Sequence, residues 1–286
     1  MAGNTSGTSK GVLVDLVRCM GCRACQVACK AWNDNPGEVT LCLGCYDNPP
    51  SFSADTWSLM QFNEVVDAAG VLHWVFAKRQ CMHCLHPACV SACPVQALHK
   101  LENGPVVYDA HKCIGCRYCM VACPFNVPRI DFYESLPEIT KCTFCAERQG
   151  EGLEPACVKA CPTDALVYGK RDELLAEART RIQKWPDRYV NYIYGEKEAG
   201  GTSWMYLSPV PFKDLVPTVE KGFGFPALEP EPVPALSENV AIFGTPTALA
   251  TVGVTLGAVY WITKRRMDAQ KAKPADAEHG HGAKEK

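Results

Sequence analysis

The run Cys113-Ile-Gly-Cys116-Arg-Tyr-Cys119-Met-Val-Ala-Cys123-Pro124 places three thiols at two-residue gaps and a fourth three residues later, followed by proline. Three thiolates so spaced can hold one iron-sulfur cube, while the fourth is carried outward to a second cube. One such run calls for a partner. The sequence holds three further groups: Cys19, Cys22, Cys25 and Cys29; Cys81, Cys84, Cys89 and Cys93, with Pro94; and Cys142, Cys145, Cys157 and Cys161, with Pro162. These four groups take sixteen of the eighteen cysteines, enough for four [4Fe-4S] clusters at four thiolates each. Zinc is the alternative, since C-x2-C pairs suit a tetrahedral ion, but zinc needs neither the third cysteine at the same gap nor the outlying Cys-Pro. Disulfides within such close triplets are disfavoured by strain.

In the two-cluster pattern the fourth cysteine of each group crosses to its mate's cluster. That rule puts Cys19, Cys22, Cys25 and Cys161 on a first cluster, and Cys29, Cys142, Cys145 and Cys157 on a second. A third takes Cys81, Cys84, Cys89 and Cys123, and a fourth takes Cys93, Cys113, Cys116 and Cys119. Cys93-Pro-Val-Gln-Ala-Leu98 and Cys161-Pro-Thr-Asp-Ala-Leu166 follow one script, which argues for an internal repeat. The expected fold is α+β: duplicated two-cluster ferredoxin-like units, one inserted in the other, plus a C-terminal transmembrane helix. Residues 11–80 and 140–185 form the outer unit and residues 81–139 the inner one.

The elements that must carry these loops are short. Alternating Val12, Val14 and Leu16 predict a strand that delivers Cys19. Residues 22–32 read as a metal-wrapped turn leading into a helix. Residues 56–66 and 71–78 read as a hairpin ending at Cys81, and residues 105–108 and 166–168 as further strands. Leu174, Leu175, Ala178, Ile182 and Trp185 share one face of a helix predicted over 172–185 and stopped by Pro186. Residues 186–239, rich in Pro, Gly and aromatics, read as an extended arm docking on partner subunits, with a solvated linker as the alternative. Cys42 and Cys45 lie in a loop as structural thiols or a disulfide.

With 286 residues and a net charge of -2, nothing points to nucleic acid. Four oxidised clusters would take the loaded chain to roughly -10, so scattered Lys and Arg read as counter-charges. The polar first ten residues predict no export signal in this chain. Residues 240–263 hold no charge; at about 1.5 Å per residue they span roughly 36 Å, enough to cross a bilayer. Tyr260 and Trp261 suit the interfacial end, and Gly253 and Gly257 a close-packing face. Lys264, Arg265, Arg266, Lys271 and Lys273 follow, so the positive side is expected in the cytoplasm and the cluster domain outside. Residues 264–286 are expected to be a basic, disordered tail, with His279 and His281 solvated.

Several stretches resemble the electron-transfer (beta) subunit of respiratory formate dehydrogenases of the nitrate-inducible type. They are Cys22-Arg-Ala-Cys-Gln-Val-Ala-Cys29, Val39 with Tyr46-Asp-Asn-Pro49, Cys81-Met-His-Cys84, Cys123-Pro-Phe-Asn-Val-Pro-Arg129 and Glu154-Pro-Ala-Cys-Val-Lys-Ala-Cys-Pro162. Tyr194-Gly-Glu-Lys-Glu-Ala-Gly-Gly-Thr202 is similar instead to the iron-sulfur subunit of quinone-reducing nickel-iron hydrogenases. The resemblance implies a chain of four clusters between a catalytic subunit (molybdenum, tungsten or nickel-iron) and a membrane quinone-reactive subunit, of cytochrome b type or haem-free. The first cluster would lie nearest the catalytic subunit and the fourth nearest the membrane. It also implies a bacterial inner-membrane complex, exported folded on a partner's twin-arginine signal with its cluster domain periplasmic.

On this reading the chain supplies no acid, base or nucleophile, and holds and tunes clusters through hydrogen bonds, burial and charge. The turns at Gly21 and Gly115, with Arg23 and Arg117, are the tuning candidates; His83 and His86 read as packing or supporting residues. A free membrane-tethered polyferredoxin is the competing reading.

Overall fold

A computed structural model describes residues 9–41, 46–67, 69–132, 134, 138–215, 224–235 and 244–271. Cys42 and Cys45 lie outside the described residues, as do Phe223 and the tail from residue 272. The chain forms two units, residues 1–234 and residues 235–286.

In chain order the first unit runs β1 (Lys10–Asp15), α1 (Ala24–Trp32), β2 (Ser58–Val66), β3 (Leu72–Gln80), α2 (Ala88–Ser91), β4 (Leu98–Lys100) and β5 (Val106–Tyr108). It continues with α3 (Tyr118–Ala122), β6 (Arg129–Ile130), β7 (Ile139–Thr140), α4 (Ala146–Gly150), α5 (Ala156–Lys159), β8 (Leu166–Lys170), α6 (Arg171–Lys184) and β9 (Trp204–Leu207). Four of the helices have five residues or fewer, too few to be stable alone. They form because the loops around them are fixed, and the cysteines fix the loops.

The sheet at the centre has the order β8-β1-β9. β1 pairs antiparallel with β8, Val12 opposite Tyr168, and parallel with β9, Val12 opposite Trp204. With neighbours on both edges, β1 is buried throughout Val12, Leu13 and Val14, as its apolar alternation requires. On one face Leu174, Leu175, Ala178 and Ile182 of α6 pack on Leu13, Met205 and Leu207, the stripe read from sequence. On the other face Val12, Val14, Trp204 and Tyr206 join a larger core with Phe144, Phe212 and Phe225. The β2–β3 hairpin, β4–β5 and β6–β7 form separate two-stranded ladders.

The extended-arm reading of 186–239 is overturned for its described part. Trp204 and Tyr206 are fully buried within this chain, Phe212 and Phe225 are buried beside them, and β9 completes the central sheet. A parallel partner from 190 residues downstream leaves no local signal, so the apolar residues that suggested docking on another subunit are in fact core. The Tyr194–Thr202 stretch gains a structural reason here. Gly195 has φ +91, and a Cβ there would collide with the Trp204 carbonyl oxygen. Leu85 N–H donates to Gly201 O (2.9 Å) and Ser203 N–H to Met82 O (3.1 Å), so this loop braces the Cys81–Cys84 turn.

In the second unit α7 (Thr245–Lys271) has 27 residues, about 40 Å at 1.5 Å per residue. Within Pro246–Lys271 an 18-residue stretch has mean hydropathy 1.3 and is not buried in the chain, so the helix is long and apolar enough to cross a membrane. The basic stretch 264–271, expected to be disordered, instead continues this helix, because Lys264, Arg265, Arg266 and their neighbours are good helix formers with no Gly or Pro among them.

Asp15 ends β1 fully buried. It accepts from Arg181 Nη1 (2.9 Å), Tyr189 OH (2.8 Å) and Val17 N–H (3.0 Å), and so ties α6 to the central sheet. Replacing Asp15 by Ala leaves the buried guanidinium only the half-exposed Glu177, 2.8 Å from its Nε, so the cost is a part of the about 3–5 kcal/mol that a fully stranded partner would lose. Asp15→Ala should therefore lower the guanidinium unfolding midpoint of the loaded protein well below that of Asp15→Asn, which keeps an acceptor. Equal midpoints for both variants and the parent would show the pair to be dispensable.

Candidate metal centre

Each cysteine group begins with the same backbone device. Two residues after its first cysteine the chain turns left-handed, at Gly21 (φ 70), His83 (φ 46), Gly115 (φ 69) and Phe144 (φ 57). Such a conformation is uncommon outside glycine, and at His83 and Phe144 the surrounding fold holds it. The turn aims an N–H at sulfur: Gly115 N–H lies 3.4 Å from Cys113 Sγ, and Phe144 N–H 3.4 Å from Cys142 Sγ. Hydrogen bonds to cluster sulfurs are a recognised control of reduction potential. Each Cys-Pro likewise leads to a left-handed residue: Gln96 (φ 53), Asn126 (φ 52) and Asp164 (φ 50). Gln96 N–H and Asn126 N–H close these turns on the Cys93 and Cys123 carbonyls at 3.3 and 3.1 Å.

The folded chain draws the sixteen described cysteines into sets that cross between groups. One cavity is lined by Cys19, Cys22, Cys25 and Cys161, with Met20, Met60 and Lys78. Another is lined by Cys29, Cys142, Cys145 and Cys157, with Asn33, Lys78, Phe144 and Trp204. A third is lined by Cys93, Cys113, Cys116 and Cys119, with Tyr108 and Arg117. Cys84 has Cys123, Cys81 and Cys89 as its electrostatic neighbours. Among the described residues no three His, Cys, Asp or Glu side chains converge on a single-ion site. Four thiols line each of these three cavities, the number of ligands a [4Fe-4S] cluster takes.

Burial governs these thiols. Desolvation pushes Cys25 and Cys89 up to about 12 and Cys29 and Cys123 up to about 11. Thiols so placed become ligands because bound metal strips their protons. Cys93 goes the other way: burial raises it, but N–H groups from Leu98, Val95, Ala97 and Gln96 outweigh that and hold it low.

Lys78, on β3, is a residue that sequence reading missed. It is 2% exposed and lines both the first and the second of these cavities. Its Nζ donates to the neutral Gln80 Oε1 (2.9 Å) and lies 4.7 Å from the centre of the Trp204 ring. Burial would lower its pKa, yet the Cys157, Cys25, Cys142 and Cys29 thiolates keep it above the ordinary lysine value. An isolated buried ammonium costs several kcal/mol, so negative groups in the adjoining cavities fit this site. The only sequence hint was three polar residues, Lys78-Arg79-Gln80, in a strand immediately before Cys81.

Arg23 and Arg117 both sit in left-handed conformation (φ 61 and 63) ahead of α1 and α3, but their side chains differ. Arg23 clamps the carbonyls of Tyr46 and Asn48 and covers Phe62 at 4.8 Å. Arg117 borders the Cys113 cavity. His83 is buried; its Nδ1 accepts from Val106 N–H (2.9 Å) and its ring packs 5.0 Å from Phe144. Burial and the nearby Lys141, Lys100 and Lys78 keep it neutral, so it is a packing residue. His86 is exposed.

Residues 18–97 and residues 72–171 each match a family described as "4Fe-4S dicluster domain". Two such domains imply four [4Fe-4S] clusters, and sixteen described free cysteines match that number. The chain is 42% identical over 273 residues to a protein of Nitratidesulfovibrio vulgaris, covering 94% of this chain and 70% of the relative. It is 43% identical over 198 residues to the iron-sulfur subunit of the nitrate-inducible formate dehydrogenase of Escherichia coli, 68% of this chain and 66% of that subunit. The Escherichia coli hydrogenase-2 operon protein HybA is 36% identical over 269 residues, 81% of this chain and 77% of the relative. The chain therefore belongs to the 4Fe-4S dicluster family that also holds the iron-sulfur subunits of formate dehydrogenases and the hydrogenase-2 operon protein HybA.

Proposed function

We propose that this chain is the electron wire of a membrane-bound respiratory oxidoreductase, carrying electrons between a catalytic subunit and a quinone-reactive membrane subunit. The observation that carries the proposal is the crossing of cysteines between groups around successive cavities, with Lys78 bordering two of them. The chain's own part is to hold the thiolates, exclude water and fix the charges around each cluster. The ligand sets proposed are those derived above: Cys19, Cys22, Cys25 and Cys161; Cys29, Cys142, Cys145 and Cys157; Cys81, Cys84, Cys89 and Cys123; Cys93, Cys113, Cys116 and Cys119. The nested arrangement is supported by the pairing of β1 with β8 and of β4 with β5, and by α1 lying against α5 and α2 against α3.

Exposed apolar side chains stand beside the first and last sets. Met20 and Val27 are 58% and 65% exposed near the Cys22 turn; Ile114 and Val121 are 65% and 86% exposed near the Cys116 turn. These are the faces on which a catalytic subunit and a membrane subunit would dock. α7 supplies the single membrane span, with Lys264, Arg265 and Arg266 on the cytoplasmic side and the cluster unit periplasmic. Export would follow a partner's twin-arginine signal. Similarity to both formate dehydrogenase and hydrogenase-2 proteins favours formate or hydrogen as donor, with the substrate of another molybdoenzyme as the alternative. With Trp204 and Tyr206 in the core, the docking-arm argument against a free membrane-tethered polyferredoxin falls away, and experiment separates the two readings.

Mild-detergent purification through a tag on this chain, with metal analysis of all that accompanies it, should give about sixteen irons per chain together with stoichiometric molybdenum, tungsten or nickel. Molybdenum or tungsten selects the formate dehydrogenase-like complex and nickel the hydrogenase-like one. Recovery of the iron-loaded chain alone would establish the free carrier. The ligand sets have their own check. Cys22→Ser combined with Cys161→Ser should lose no more iron than either single variant, about four atoms, whereas Cys22→Ser combined with Cys157→Ser should lose about eight. Equal losses for the two pairs would discard the crossed assignment.

A further inference from the structure

The buried lysines of the first unit are not scattered counter-charges. Lys78 borders the cavities of the first and second ligand sets. Lys141 is 4% exposed, is followed directly by Cys142 of the second set, and donates from Nζ to the carbonyls of Cys142 (3.1 Å) and Val106 (2.5 Å). It also acts electrostatically on Cys89 and Cys123 of the third set. Lys100 donates to the carbonyls of Cys84 (2.9 Å) and Gly104 (2.8 Å) beside that same third set. The cavity lined by Cys93, Cys113, Cys116 and Cys119 has no lysine in its wall. None of the three lysines is within ion-pair distance of a carboxylate among the described residues; their nitrogens are held by neutral acceptors.

The geometry points to Lys78 as a shared cation that sets the reduction potentials of the first and second clusters together. Adding an electron to a cluster adds negative charge, and an unpaired ammonium at its wall favours that reduced state. In a dry interior the field is weakly screened. A carboxylate partner would cancel it, whereas the amide and carbonyl acceptors seen here position each ammonium and leave its charge intact. One lysine between two cavities raises both potentials together, so neither neighbour becomes a deep trap for the electron. The fourth cluster, without a lysine, is left at the potential that its backbone N–H groups and Arg117 give it. The inference rests on the ligand sets proposed above.

The test is a redox titration of the complex purified through this chain, followed by electron paramagnetic resonance, for the parent, Lys78→Met and Gln80→Glu. Methionine keeps the apolar stem and removes the charge. Gln80→Glu keeps Lys78 and places a carboxylate at its present hydrogen-bond acceptor. In both variants two of the four one-electron steps should move down together. At a fixed ambient potential their reduced-to-oxidised ratio should fall at least tenfold, which is 59 mV for a one-electron couple, with smaller shifts for the other two. Sixteen irons with unmoved potentials, or an equal shift of all four steps, would overturn the inference while leaving the wire reading intact. Failure of both variants to hold sixteen irons would overturn it in favour of a lysine needed only for assembly. If the parent itself lacked four clusters, the wire reading would fall instead.

Discussion

Sixteen thiols must give up their protons inside protein, and the charge that results has to be held where water cannot screen it. Burial by itself opposes this, as the elevated pKa values of Cys25, Cys29 and Cys89 show. Three features of the chain answer that opposition. Left-handed turns at Gly21, Gly115 and Phe144 present backbone N–H groups at the sulfurs of Cys19, Cys113 and Cys142. The short helices α3 and α4 begin just after two of those turns. Buried ammonium groups lie in or beside the walls of three of the four sites. Regular secondary structure is consequently sparse around the clusters and concentrated in the β8-β1-β9 sheet, which fixes the loops from behind.

The small core and the metal sites are thus one system. Phe144 illustrates this: its backbone N–H faces Cys142 Sγ, while its ring packs against His83, Tyr168 and Trp204. Trp204 in turn lies under the Lys78 ammonium. A side chain that fills the core therefore also fixes charge at a cluster, and packing changes there would be felt as changes in potential.

Much of this was legible in the sequence. The four cysteine groups, the strand at Val12–Leu16, the hairpin before Cys81 and the buried stripe of α6 follow from spacing and periodicity, which are local properties. What escaped was non-local. β9 pairs with a strand near the N-terminus, and nothing within 186–215 declares that partner, so Trp204 and Tyr206 read as a docking surface when they are core. Lys78 escaped because a lysine in a strand is ordinarily solvated; only the fold shows that it faces two cavities. The helix through Lys271 escaped because charge was taken as a sign of disorder, although Lys and Arg favour helix when they follow an apolar one.

The pairing of β1 with both β8 and β9 also orders events during synthesis. β1 leaves the ribosome first, yet its neighbours begin at residues 166 and 204. At about 5–20 residues per second, β1 waits roughly ten to forty seconds for them. The β4–β5 ladder, whose strands are only a few residues apart, can form during that interval, although the Cys81–Cys84 turn still awaits its brace from Gly201 and Ser203. The site shared by Cys19 and Cys161 cannot, because its ligands are brought together by the central sheet. Topology therefore orders closure of the chain: the cavity lined by Cys19 and Cys161 is completed only after the strand at 204–207 has emerged.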